Sequence, residues 1–271
     1  MKISVIIPTY KPQDYLWECL GSIVSQSFSK ADFEVIIVLN GCGEPYKGEI
    51  EQYISAKMKG MNVNFIHTET GGVSNARNIA LDNAKGEFVT FIDDDDYVSP
   101  NYLKELYSKA DNNTISLSYP YAFIDGNPKQ IPYRITKVYD DLNKYGCQNY
   151  IKARKYFSGP CMKLIPMNFI QKRRFDVKFK NEEDSLFMFL ISDKMSNVIF
   201  TTKDAVYYRR YRNCSAVTRQ QTIKDLMSGC LKTMLEYTRI YFSGKYNFYF
   251  YILRIAATIH YFLSKIFNKT V

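Results

Sequence analysis

Histidine and tryptophan are almost missing from this chain, two and one among 271 residues. Six cysteines (Cys19, Cys42, Cys147, Cys161, Cys214, Cys230) are scattered with no CxxC pair, which argues against both a zinc site and a disulfide framework. Reduced thiols in a cytosolic compartment are the expectation. Glycine-rich phosphate cradles are absent as well. Neither GxGxxG after the first apolar run nor GxxxxGK[ST] occurs, so dinucleotide and P-loop readings lack their anion sites. The N-terminal Met1-Lys2-Ile3-Ser4-Val5-Ile6-Ile7-Pro8 begins like a signal peptide, but its apolar run is too short and stops at Pro8, so a first strand is expected instead. No RNP, KH or helix-turn-helix signature accompanies the net charge of +9, and no nucleic-acid partner is expected.

What the chain does have is ordinary globular content, 46% hydrophobic and 23% charged, with many aromatics, 23 Tyr and 18 Phe. Its length fits one large domain, or a domain with an extension. The positive charge is uneven. From residue 219 onward, Arg219, Lys224, Lys232, Arg239, Lys245, Arg254, Lys265 and Lys269 stand against Asp225 and Glu236, so most of the excess lies in the last fifth. A basic tail points to an anionic partner such as nucleic acid or a membrane surface, or simply to solubility.

Short β-branched runs alternate with helical patterns. Ile3–Pro8, Phe33–Leu39, Val63–His67 and Phe88–Ile92 read as near-continuous apolar strands. Between them lie a helix opened by Pro12 with Leu16, Leu20, Ile23 and Val24 in register, a polar helix near 46–58, and a helix opened by Gly71-Gly72. Ser99-Pro100 is expected to cap and begin the next helix. Strands of this kind predict an α/β fold, a mostly parallel sheet covered by helices on both faces. Ligands of such sheets bind beyond the carboxyl ends of the strands, where Tyr10, Asn40 and Asp93–Asp96 fall.

Four consecutive carboxylates, Asp93 to Asp96, follow the fourth strand. In extended chain Asp93 and Asp95 would share a face, about 7 Å apart at ~3.3 Å per residue. Adjacent carboxylates repel, and a hard divalent cation, Mg²⁺ or Mn²⁺, relieves that repulsion. A solvated acidic turn explains the same ten residues equally well, and the rest of the chain decides between them.

Ser4-Val5-Ile6-Ile7-Pro8-Thr9-Tyr10, Glu34-Val35-Ile36-Ile37-Val38, Gly72-Val73-Ser74-Asn75-Ala76-Arg77-Asn78 and Gly86-Glu87-Phe88-Val89-Thr90-Phe91-Ile92-Asp93-Asp94-Asp95-Asp96 occur in that order. Together they resemble the family 2 glycosyltransferases, GT-A enzymes that transfer a sugar from a nucleotide diphosphate with inversion. The likeness covers residues 3–110 and continues more weakly to about 217. It implies that Pro8, Thr9 and Tyr10 face the nucleobase, and that Arg77 approaches the diphosphate. Asn40 stands where the family usually carries an acidic residue toward the base, and an amide can both accept and donate there. The resemblance makes Asp95 the direct metal ligand, with Asp93 on the metal, the ribose or its second shell. Asp94 is placed beside the donor or as bystander charge, and Asp96 toward the donor sugar or the neighbouring loop.

Inverting transfer needs a base for the acceptor hydroxyl. By resemblance this is Asp184, with Glu183 beside it, opening the apolar helix of Asn181-Glu182-Glu183-Asp184-Ser185-Leu186-Phe187-Met188-Phe189. Acidic residues at a helix N-terminus also serve simply as favourable charge there. Gly159-Pro160-Cys161-Met162-Lys163-Leu164 and Arg174-Phe175-Asp176 are spaced as in bacterial polysaccharide members. Tyr207-Tyr208-Arg209-Arg210-Tyr211-Arg212-Asn213-Cys214-Ser215 resembles the segment that closes the catalytic domain, where Arg209 or Arg212 would meet the diphosphate.

The implied organisation is a catalytic domain over 1–217, with a nucleotide-sugar half (1–118) and an acceptor half (119–217), followed by a basic, aromatic helical extension over 218–271. Within the extension Arg254, Thr258, Tyr261 and Lys265 form one polar stripe on an otherwise apolar helix. That helix fits packing on the domain, a homodimer contact, or an interfacial membrane helix, the last being preferred. The resulting expectation is a metal-dependent UDP-sugar transferase acting on a glycan or lipid-linked acceptor, cytoplasmic or peripheral at the inner membrane face. Two alternatives stand beside it: a catalytically silent sugar-nucleotide-binding partner subunit, separated by the effect of Asp184→Asn, and a basic nucleic-acid-binding protein, separated by salt-sensitive RNA binding.

Overall fold

A computed structural model describes residues 1–212 and 222–267. The 217/218 boundary expected from the sequence lies outside the described residues, as do Asn213, Cys214 and Ser215. In chain order the elements are β1 (Ile3–Thr9), α1 (Tyr15–Val24), β2 (Phe33–Asn40), α2 (Tyr46–Lys57), β3 (Asn62–Thr68), α3 (Val73–Asn83), β4 (Phe88–Phe91), β5 (Tyr97–Val98) and α4 (Tyr102–Ser108). There follow β6 (Thr114–Leu117), β7 (Tyr119–Ile124), β8 (Asn127–Gln130), α5 (Arg134–Asn143), β9 (Lys163–Pro166), α6 (Met167–Ile170) and α7 (Glu183–Leu190). The last are β10 (Asn197–Phe200), β11 (Val206–Tyr211), α8 (Ile223–Ser243) and α9 (Phe248–Phe267).

Seven strands form the main sheet in the order β10-β6-β9-β4-β1-β2-β3. β1 runs parallel to both β2 and β4, β2 to β3, and β10 to β6, while β9 is antiparallel to β4 and β6. This is the mostly parallel, helix-flanked α/β sheet expected. Every residue of β1, β2 and β4 is buried, which explains why those strands are uninterrupted apolar runs and not alternating ones. A smaller sheet, β5-β11-β7-β8, stands at the carboxyl end of β4. Strands from both sides of residue 118 share the main sheet, and one apolar core extends from Ile3 to Phe250.

Two helix starts differ from expectation. α1 begins at Tyr15, after Asp14, and Pro12 lies buried ahead of it. α4 begins at Tyr102, and the Ser99 hydroxyl serves β11 instead: it donates to the Asp204 carbonyl (2.6 Å) and accepts from the Val206 amide (2.9 Å). A serine hydroxyl at the start of β11 satisfies the Asp204 carbonyl and the Val206 amide at once, which outweighs a cap at that point.

Close backbone approach explains Gly86. A Cβ there would sit 2.5 Å from the Ser4 nitrogen and 2.7 Å from the Phe88 oxygen, both main chain. The Ser4 hydroxyl accepts from the Gly86 amide (2.9 Å) and donates to Glu34 (2.7 Å), so the start of β4 is bonded to β1 and β2.

Candidate active site

The four aspartates do not continue the strand. The Asp96 amide donates to the Asp93 carbonyl (3.1 Å), closing a tight turn. The extended geometry, with Asp93 and Asp95 on one face, is thereby corrected. A turn sends each carboxylate in its own direction, so each finds its own partner while still repelling its neighbours. Asp93 accepts from Arg77 (2.9 Å), Asp94 from the Thr9 hydroxyl (2.6 Å), and Asp95 from Arg212 (2.8 Å). Asp96, buried, accepts from the Tyr207 hydroxyl (2.8 Å) and the Arg210 amide (2.7 Å). Tyr207 also accepts from the Asp93 amide (3.2 Å), so β11 is pinned to the turn.

Burial holds the carboxyls of Asp94, Asp95 and Asp96 above their ordinary range. Asp94 is pushed up to about 7, chiefly by burial and then by Asp95 and Asp93, with the Thr9 hydrogen bond opposing. Asp95 is raised by burial and by Asp93 against the pull of Arg212.

Beside the turn, the ends of β1 and β2 meet the loop before α3. Gly41, at φ 67°, passes so close that a Cβ would lie 2.8 Å from the Gly71 Cα. The exposed Tyr10 ring borders the same glycine. Asn40 is buried beneath them: its amide donates to the Thr9 carbonyl (2.7 Å) and its oxygen accepts from the Gly72 amide (2.8 Å). The two groups with which Asn40 was expected to meet a base are thus engaged with backbone, and they hold the strand ends that carry Thr9 and Tyr10. Pro8 lies buried in β1.

Arg77 joins the two acidic centres. From α3 its fork donates to Asp93 on one side and to Asp184 on the other (2.6 Å), and it is 3% exposed. The next residue explains the motif: Asn78 exchanges two hydrogen bonds of 2.8 Å with the backbone of Phe175, whose ring underlies the Arg77 guanidinium at 5.4 Å. Phe175 in turn stacks on Phe187 of α7 (3.8 Å between centroids), so α3, the 174–176 segment and α7 are registered together.

α7 begins after Glu182, which turns the chain at φ 67°, a conformation uncommon outside glycine and often found where a site demands it. Asp184 Oδ1 is held by Arg77, while Oδ2 has no protein partner among the described residues and lies beside Gly159, where a Cβ would be 3.8 Å away. Burial raises the Asp184 carboxyl; Arg77 opposes, Asp93 adds, and Lys163 and Arg209 oppose. Glu183 is pushed up to about 7 by burial and by Asp184. Lys163 is wholly buried, donates to the carbonyls of Gly159 and Cys161 (both 2.6 Å), and is lowered to about 7 by burial.

Arg209 of β11 and Arg212 just past its end lie beside the acidic turn. Arg212 pairs with Asp95 and stacks on Tyr15 at 4.4 Å. Arg209 lies between Tyr133 (5.8 Å) and Tyr211 (5.5 Å) and has no carboxylate within 4 Å among the described residues. Its guanidinium donates to the Tyr133 hydroxyl (3.4 Å) and adds positive charge near Asp96 and Asp93.

The Glycosyl transferase family 2 sequence model matches residues 4–174. The chain belongs to this family. It is 40% identical over 105 residues to the poly(ribitol-phosphate) beta-N-acetylglucosaminyltransferase TarS of Staphylococcus aureus, covering 39% of this chain and 18% of TarS. It is 30% identical over 222 residues to glycosyltransferase GlyA of Streptococcus pneumoniae (77% of this chain, 30% of GlyA). Against the putative glycosyltransferase EpsH of Bacillus subtilis it is 29% identical over 230 residues (81% of this chain, 63% of EpsH). The chain therefore spans from under a fifth to under two thirds of the length of these relatives. Among solved structures, S. aureus TarS 1–349 in complex with UDP-GlcNAc superposes with a TM-score of 0.70 at 25% identity, over 88% of this chain and 66% of that one. The fold is that of GT-A glycosyltransferases.

Within this family 2 fold, the residues singled out from the sequence lie in one hydrogen-bonded neighbourhood: Asn40 bonds the Thr9 carbonyl, Thr9 bonds Asp94, and Arg77 joins Asp93 to Asp184, with Tyr10, Asp95 and Glu183 adjacent in the chain. Tyr207 and Lys163 were part of quoted motifs but had no assigned role; both are buried polar anchors, recognisable only once the strands beside them are known.

A divalent cation is testable against this donor set. Among the described residues no three His, Cys, Asp or Glu side chains form a metal cage. Arg212 occupies Asp95 Oδ2, and among the described residues no other side chain bonds Oδ1, beside the raised carboxyls of Asp94 and Asp96. That suits a cation taken by one or two carboxylates and the oxygens of a diphosphate, the usual manner of Mg²⁺ and a chemistry open to Mn²⁺.

Proposed function

We propose that this chain is an inverting glycosyltransferase that moves a hexosyl or N-acetylhexosaminyl group from a UDP-sugar to a hydroxyl of a surface glycan or lipid-linked acceptor. One observation carries the reading: a single buried guanidinium, Arg77, ties Asp93 of the acidic turn to Asp184 while leaving Asp184 Oδ2 open. Donor and base are thereby set on opposite ends of one rigid fork. The TarS structure, which holds UDP-GlcNAc, supports the choice of donor.

In this reading the nucleobase lies against Tyr10 over the strand ends clamped by Asn40, with Pro8 and Thr9 forming the floor. The ribose and diphosphate follow the Asp93–Asp95 turn toward Arg209 and Arg212. Asp95, with Asp93 beside it, would hold a Mn²⁺ or Mg²⁺ ion, which would supply Lewis-acid stabilisation of the departing diphosphate. The acceptor hydroxyl attacks the anomeric carbon from the face opposite the leaving group. Asp184 Oδ2 takes its proton, the new glycosidic bond forms, and the bond to the diphosphate oxygen breaks, releasing UDP. Burial lifts the Asp184 pKa toward that of a working base, and the Arg77 hydrogen bond keeps the carboxylate oriented. Glu183 adds negative charge beside it. The acceptor half over 119–217 supplies this base, and the helical extension lies next to it, consistent with peripheral contact at the cytoplasmic face of a membrane.

The test is thermal shift with UDP, GDP, CDP and dTDP, each with Mn²⁺, Mg²⁺ or chelator, followed by UDP release from UDP-GlcNAc with candidate acceptors. A ligand at 100 times its Kd stabilises by about 2.7 kcal/mol. A metal-dependent UDP shift abolished by Asp95→Ala, with transfer but not the shift abolished by Asp184→Asn, is expected. A UDP shift with no transfer in the wild type, and none restored by any acceptor, would instead identify a silent binding subunit.

A further inference from the structure

Helix α9 is built inside out. Phe250, Arg254 and Thr258 of its inner face are buried against the domain, whereas Phe248, Tyr249, Ile252, Ile259, Leu263 and Phe267 are exposed. These six fall within one sector of about 100° on a helical projection. Half of the polar stripe expected from the sequence, Arg254 and Thr258, therefore points at the protein and the apolar face at solvent. α8 behaves alike: Leu226, Thr233, Tyr237 and Ile240 face inward, and Ile223, Met227, Leu231, Leu235 and Phe242 stand outside. The helices are joined by a Thr238–Tyr251 hydroxyl bond (2.9 Å) and by Tyr241 stacked on Tyr251. Both outer faces point away from the core, so the hairpin presents one apolar surface.

We propose that this surface seats the protein on an anionic lipid bilayer, with α9 lying in the membrane plane. The proposal deepens the membrane contact of the preceding section and rests on that reading only for the use made of the surface. Charge selects the occupant. α9 contains no acidic residue, Asp225 is spent in the capping box with Thr222, and Glu236 is paired with Arg239. Lys224, Lys232 and Lys245 have no carboxylate within 4 Å among the described residues and border the apolar face. A second copy docked across a two-fold axis would bring like charges together, whereas phospholipid headgroups complement them. Phe242, Phe248 and Tyr249 cluster at the hairpin turn, where aromatic side chains anchor at the headgroup level.

By length and composition α9 would also suffice to cross a membrane. Its inner face excludes that placement here, because Arg254 is buried and hydrogen-bonded to the carbonyls of Phe157 and Ser185. Tyr237 of α8 meets the hydroxyl of the same serine (2.7 Å). Ser185 follows Asp184, so both helices of the hairpin are hydrogen-bonded to the residue next to the candidate base, an arrangement that fits an acceptor hydroxyl carried on a lipid.

The test is flotation of the full chain with phosphatidylcholine vesicles, with and without phosphatidylglycerol, alongside light scattering and the UDP thermal shift. Wild type should float with the anionic vesicles and bind phosphatidylcholine alone about tenfold more weakly or worse. Ile252→Glu with Ile259→Glu should lose flotation by tenfold or more, on the order of the cost of a charge in an apolar lipid face, with the UDP shift retained. Lys224→Glu with Lys232→Glu and Lys245→Glu, all at exposed positions, should abolish the preference for phosphatidylglycerol. A wild type that floats with neither vesicle overturns the proposal, as does a dimer that the isoleucine variant converts to monomer. Flotation with no UDP shift would support the surface and overturn the donor reading; a shift without flotation would do the reverse.

Discussion

Arg77→Met keeps an unbranched, largely apolar side chain of similar reach and removes the fork that Asp93 and Asp184 share. Deleting one partner of a buried ion pair costs about 3–5 kcal/mol, because the charge left behind is uncompensated. Here two carboxylates are left, but their side chains are 35% and 28% accessible, so water assumes part of the role of the guanidinium. The lower end, about 3 kcal/mol near neutral pH, is the expected loss. Its pH dependence has a definite sign. Asp184 already titrates above the ordinary carboxylate range, and without Arg77, which lowers it, the folded-state pKa rises further. A carboxyl raised on folding costs stability as pH climbs from its unfolded to its folded value, so the penalty is complete at high pH and shrinks in acid. Urea unfolding of wild type and variant at about pH 8 and about pH 5 should therefore show the larger difference at the higher pH. Adding Asp184→Asn to Arg77→Met should return part of the lost stability, because one of the stranded charges is gone. Equal losses at both pH values, or a double variant less stable than Arg77→Met alone, would refute the bridging role.

Three further outcomes follow from individual contacts. Glu183 is raised from 4.5 to about 7 by burial, so it weakens the fold increasingly across that window; Glu183→Gln should stabilise the protein by up to about 3 kcal/mol at about pH 8 and by almost nothing at about pH 4, read from denaturant melts. Gly86→Ala places a methyl 2.5 Å from the Ser4 nitrogen, and since main chain on both sides is fixed by the β1–β4 pairing, a loss of about 3 kcal/mol or more is expected in thermal or urea unfolding. Arg254→Met leaves the Phe157 and Ser185 carbonyls without their shared donor, which should cost about 2 kcal/mol and lower kcat more than it changes the donor KM, because α7 and not the nucleotide pocket loses its support.

The first four strands and the mostly parallel sheet were legible because fully buried parallel strands leave no room for polar residues: β1, β2 and β4 announce themselves as apolar runs, and polar residues end them. Side-chain partners were not legible. Nothing in Asp93-Asp94-Asp95-Asp96 distinguishes an extended end from a turn, and only the turn separates the four carboxylates onto Arg77, Thr9, Arg212 and Tyr207. Asn40 in an acidic residue's place suggested a ligand contact, yet an amide at that point can do what a carboxylate cannot, donating to one strand end while accepting from the next loop.

The extension shows the deeper reason. Periodicity in α9 reports that one stripe is polar and the remainder apolar, which sets the phase of the helix but not its sign. In water the apolar face is normally buried. The opposite arrangement arises when the inner face has specific work for its polar groups, and here Arg254 satisfies two main-chain carbonyls that flank the turn into α7 and the Gly159 loop. The Phe157 carbonyl lies at the end of the 154–158 helical turn, where carbonyls lack an intrahelical donor, and no pattern within residues 248–267 records that demand. The sign of the amphipathic face is thus decided by hydrogen-bonding demand about 70 residues or more away, and an apolar outer face is its consequence. A surface made in that way requires its own partner, and a basic border with aromatics at the hairpin turn matches a lipid headgroup layer better than it matches a copy of itself.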